Sequence, residues 1–93
     1  MNSSELYKKK YQYEKLIKNL NSCLSKLDKC YSNLLSCKKK INNCIKVDDN
    51  YYSYNEYENI ISIIENNRNK IRNNVLPKAR YQYNQILSQI ANL

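Results

Sequence analysis

Four cysteines stand at positions 23, 30, 37 and 44, each seven residues after the last, inside SCLSKLDKCYSNLLSCKKKINNC. Thiols offer three kinds of chemistry: a disulfide, a metal site or a reactive nucleophile. On one straight helix a spacing of seven puts neighbouring Cys about 10 Å apart along the axis. A disulfide needs Cα atoms within about 7 Å, and a shared zinc needs thiolates about 2.3 Å from one ion. No Cys-x-x-Cys pair and no histidine relaxes that geometry. The thiols are therefore read as small apolar side chains in a helical seam, with no metal, disulfide or cofactor expected. An intermolecular disulfide in a parallel, in-register dimer is the alternative, and it requires an oxidising compartment.

The helix that carries them is written in the same stretch. From Leu6 to Ile45 there is no Gly or Pro. Leu6, Tyr13, Leu20, Leu27, Leu34 and Ile41 repeat every seven residues, at heptad position a. Leu16 and the four Cys fall at position d. Asn2 and Glu5 have the spacing of a capping box at its start. The stretch VDDNYYS at 47–53 breaks the pattern and reads as a turn, because Asp and Asn side chains compete for the backbone. Ser53 and Glu56 then suggest a second cap, with Tyr57, Ile60, Ile61, Ile64, Ile71 and Val75 as the next apolar stripe. Pro77 predicts a kink or restart, and Ala79, Tyr83, Ile86, Ile90 and Leu93 form a stripe displaced by one position, which a kink would realign. The expected fold is all-α: an antiparallel two-helix hairpin over 1–93. Helix 1 spans about 3–46, the turn 47–53 and helix 2 about 54–92, kinked at Pro77.

Composition limits what such a hairpin does. The net charge is +8, and all the excess lies in the first half of the chain, including KKK at 8–10 and 38–40. Thirteen Lys, sixteen Asn, ten Ile and ten Tyr make up more than half the sequence. Their A/T-rich codons offer a bland source for the basicity beside a charge-selected partner such as nucleic acid. No apolar run approaches the length of a membrane span, and MNSSELYKKK lacks a secretory apolar core, so the expectation is a cytoplasmic protein. Without histidine or glycine no constellation of acid, base and nucleophile assembles, and the chain is read as non-enzymatic.

The apolar face of helix 1 is wider than one partner helix covers, because Ile17, Leu24, Tyr31 and Ile45 extend it to position e and Leu35 to the b side. The expected partner-binding residues are Leu16, Ile17, Leu20, Cys23, Leu24, Leu27, Cys30, Tyr31, Leu34, Cys37 and Ile41. The alternative is that the tail beyond Pro77 folds back over that flank. Tyrosines cluster at the hairpin end, where Tyr52, Tyr54 and Tyr57 form an aromatic turn motif suited to contact.

This outline, two long helices around a central aromatic turn, resembles the WXG-type hairpins of the type VII (ESX) secretion system. It is most similar to the small accessory proteins that partner LXG toxins. The turn lacks W-x-G, and Tyr81 and Tyr83 are followed four residues on by Gln85 and Leu87 rather than by the acid of the family's export signal. These departures favour the accessory role over autonomous export. The resemblance implies an adaptor that binds the helical N-terminal domain of an LXG toxin, with a second small hairpin protein as a further partner and co-export through a signal-peptide-independent route. The rival readings are a self-assembling coiled coil and a basic nucleic-acid-binding protein.

Overall fold

The computed structural model describes the backbone of residues 2–44 and 51–93 and the side chains of 2–40 and 56–93. It is an all-α hairpin of 69 × 15 × 14 Å. Helix α1 runs Ser3–Cys44, α2 Tyr51–Lys70 and α3 Leu76–Ala91, with a π-helical turn at Ile71–Val75 joining α2 to α3. Contacts across the seam pair Leu34 with Tyr57, Asp28 with Arg68 and Glu14 with Tyr83. As one number falls the other rises, which makes the packing antiparallel.

The start of α1 follows its sequence. Asn2 Oδ1 accepts the Glu5 N–H at 2.9 Å and the Asn2 carbonyl accepts the Leu6 N–H at 3.2 Å, so one otherwise orphaned amide is capped by the side chain. The second helix begins earlier than expected. α2 starts at Tyr51 rather than Tyr54, so the Ser53 to Glu56 spacing lies inside the helix.

Position d does not form the seam of this hairpin. On α1 the residues facing inward are Leu6, Tyr13, Leu20, Leu27 and Leu34 at a, with Lys10, Ile17, Leu24, Tyr31 and Lys38 at e. Leu16, Cys23, Cys30 and Cys37 at d are exposed, which corrects the expectation that the thiols pack opposite a. Both rows adjoin position a, but row e carries Ile, Leu and Tyr where row d carries Cys. Burial scales with apolar area, so α2 and α3 lie over the larger side chains.

The displaced stripe is realigned by a wider turn. Ile64 and Arg68 face inward before it, Ile71 and Val75 at its two ends, and Leu76, Ala79, Tyr83, Ile86 and Ile90 after it. The Leu76 N–H bonds the Ile71 carbonyl, five residues back, so this turn takes one residue more than an α-turn. Pro77 follows in the first turn of α3, where its missing N–H removes one bond from the helix at the place already widened. α3 continues along the N-terminal half of α1 and leaves row d uncovered, so the tail does not fold back over it.

Among the described residues the buried set is small: Leu6, Ile61, Leu76, Ala79 and Ile86. Leu6→Ala removes about 2–5 kcal/mol at a position 3% exposed. A chain of this length holds roughly 5–14 kcal/mol in all. A clear fall in the thermal midpoint by circular dichroism is therefore expected. Removing Asn74 together with Pro77→Ala leaves the inward residues at regular three- and four-residue intervals. That double change is expected to retain full helicity and a cooperative melt, and loss of the fold would show that the π-turn serves more than register.

Candidate functional site: two unlike sides of the hairpin

The two sides of the seam differ in chemistry. One side is closed by polar bridges. Arg68 Nε donates to Asp28 Oδ1 at 2.6 Å, and Arg72 Nη2 reaches Oδ1 and Oδ2 of the same carboxylate at 3.1 and 3.2 Å. The Arg68 guanidinium carbon also lies 4.2 Å from the centre of the Tyr31 ring, so its flat face is covered by an aromatic while its edge holds the acid. Toward the open end the Tyr83 hydroxyl donates to Glu14 Oε1 at 2.8 Å. Toward the turn Lys38 pairs with Glu58. On the thiol side the Tyr57 hydroxyl, next to Cys37, donates to the Leu34 carbonyl at 2.9 Å.

These groups titrate accordingly. The Arg68 hydrogen bond, with the charges of Arg68 and Arg72, holds the Asp28 carboxyl below its usual 3.8 against a smaller opposing effect of burial. The hydrogen bond to Glu14 pushes the Tyr83 phenol up from 10.0, with burial adding to it. Burial pushes the Tyr57 phenol up, helped by the neighbouring Cys37 thiol.

The expected site residues divide between seam and surface. Ile17, Leu20, Leu24, Leu27, Tyr31 and Leu34 are half-buried within the hairpin itself. Leu16, Cys23, Cys30 and Cys37 stay on the surface as one row, with Leu16 43% exposed. Tyr57 serves the seam through its bond to Leu34. The side chains of Ile41, Cys44, Tyr52 and Tyr54 lie outside the described residues. The Asp28, Arg68 and Arg72 cluster was missed from sequence, although a signal existed. Arg68 occupies an inward position between Ile64 and Ile71, and a cation there calls for the lone acid in the middle of α1.

α1 is unbroken across the thiols, so neighbouring sulfurs cannot meet, and Cys23, Cys30 and Cys37 are free. Among the described residues no three His, Cys, Asp or Glu side chains gather as a metal site needs. No helix among them is long and apolar enough to cross a membrane. No family model, curated protein or solved structure matches this chain.

The depressed Asp28 value means that its contribution to stability is complete above about pH 4 and is lost as pH falls through the folded-state value. Asp28→Asn is therefore expected to lower the thermal midpoint at pH 7, with the deficit shrinking as pH falls below about 4 through the folded-state value. The raised tyrosine values act at the other end: their contribution is complete below pH 10 and lost as pH rises beyond it. Tyr83→Phe is expected to flatten that alkaline fall, measured as midpoint against pH.

Proposed function

We propose that this chain is a non-enzymatic helical-hairpin adaptor that binds the helical N-terminal domain of an LXG-type toxin and helps target it to a type VII secretion system. The observation carrying this reading is the exposed row Leu16, Cys23, Cys30 and Cys37, which continues the apolar face of α1 beyond the strip that α2 and α3 cover. Ile60 and Ile63, 49% and 59% exposed, add apolar surface on α2. A long uncovered apolar row on a rod two helices thick suits completion of a three- or four-helix bundle by another chain. The hairpin outline adds the likeness to accessory proteins of LXG toxins, from which the toxin domain and the export route follow. In this reading the adaptor leaves the cytoplasm with its cargo, and any second small hairpin protein packs on the same bundle.

Co-expression with the N-terminal domain of an LXG protein encoded beside this chain tests the reading. The expected result is a complex that survives gel filtration at micromolar concentration. A stable homodimer or homotetramer that excludes the toxin domain overturns it in favour of self-assembly.

A further inference from the structure

The charged bridges and the Tyr83–Glu14 bond lie toward one side of the seam, whereas the Tyr57 hydroxyl reaches the Leu34 carbonyl beside the Cys37 thiol on the other. Glu14 and Asp28 both occupy row b of α1, and their partners Arg68, Arg72 and Tyr83 reach across to them. Row d lies on the opposite side of a. A helix turns about 100° per residue, so Ile60, eight residues before Arg68, comes about 80° round from it, away from Arg72. Leu16, Cys23, Cys30 and Cys37 thus form one wall of an open groove, and Ile60 stands on the other. Half-buried Ile64 and Ile71 lie nearer its floor. From Leu16 to Cys37 the wall is about 32 Å long. Toward the open end the same side holds a cleft of about 250 Å³ between α1 and α3, lined by Lys9, Gln12, Gln82, Gln85 and Gln89.

Charge selects the occupant. The outer neighbours of row d on α1 are Gln12, Asn19, Lys26, Asn33 and Lys40, and row d itself begins with Lys9. No acid borders the wall on α1, and across the groove Glu56, one turn before Ile60, is the acid that shares that face of α2. A second copy would set these lysines against one another and join two chains of net charge +8. A helix with an apolar stripe edged by carboxylates meets both the apolar wall and its basic rim. The thiols are short, so that helix approaches closely and its larger side chains fill the space between them.

Resting on the adaptor reading above, we infer that the thiol side of the hairpin is a docking groove for an acidic amphipathic helix of the partner protein. The full chain, reduced, is titrated with two synthetic helical peptides of about four heptads that share one Leu stripe, with Glu or Lys at the flanking positions. Binding is read by fluorescence anisotropy and thiol burial by the rate of alkylation with iodoacetamide, resolved by mass spectrometry. The Glu peptide is expected to bind, to weaken with salt, and to slow alkylation of Cys23, Cys30 and Cys37 about tenfold. Leu16→Asp is expected to weaken it about tenfold or more, and K26E with K40E to shift preference to the Lys peptide. All three positions are exposed, and circular dichroism verifies that the variants fold. Equal binding of both peptides, binding of neither, or thiols that become protected as the protein alone dimerises overturns the inference. Capture of the toxin domain with all three thiols still reactive overturns it while leaving the adaptor reading intact. Protection by the Glu peptide without capture of the toxin domain does the reverse.

Discussion

A helix can cover only one strip of another helix, and α1 carries more apolar surface than one strip. That constraint organises the molecule. Three adjacent rows, d, a and e, offer apolar side chains, and a single antiparallel partner covers two of them. The choice falls on a and e because Ile17, Leu24 and Tyr31 bury more apolar area than three thiols do. Row d is what remains, and its exposure follows from the packing of the other two.

Electrostatics supports the same choice. Asp28 stands in row b, next to e, and α2 must lean to that side for Arg68 and Arg72 to reach it. An arginine in an inward position leaves water at a cost unless its donors are paired, and Arg68 is paired at its edge by Asp28 and covered on its face by Tyr31. With Tyr83 on Glu14 and Tyr57 on the Leu34 carbonyl, bridges are spread along the rod rather than gathered at one end. Such directional contacts set register, which a uniform apolar seam specifies poorly. The π-turn has the same purpose: one extra residue lets α3 keep the register that α2 established.

The packing that results divides charge unevenly between the two sides of the seam. The acids of α1 beyond its first turn are occupied on the closed side, and the lysines nearest the thiols are left on the open side. The hairpin therefore presents an apolar strip bordered on α1 by lysines. The chemistry that closes one side thus also defines what suits the other.

Much of this was legible in the residues. The uninterrupted heptads of α1, the Asn2 cap, the antiparallel hairpin and the one-position shift around Pro77 are local or periodic features, and local sequence determines them. The unbroken helix also settles that neighbouring thiols cannot meet, since spacing along one rod is a matter of helical rise. Which two of three apolar rows would be buried was not legible, because it depends on the face that the second helix presents and on where Arg68 finds its acid. The earlier start of α2 at Tyr51 and the π-turn in place of an abrupt break have the same origin. Helix ends and register answer to packing between elements distant in sequence, and only the tertiary structure brings residues 28 and 68 to within a hydrogen bond.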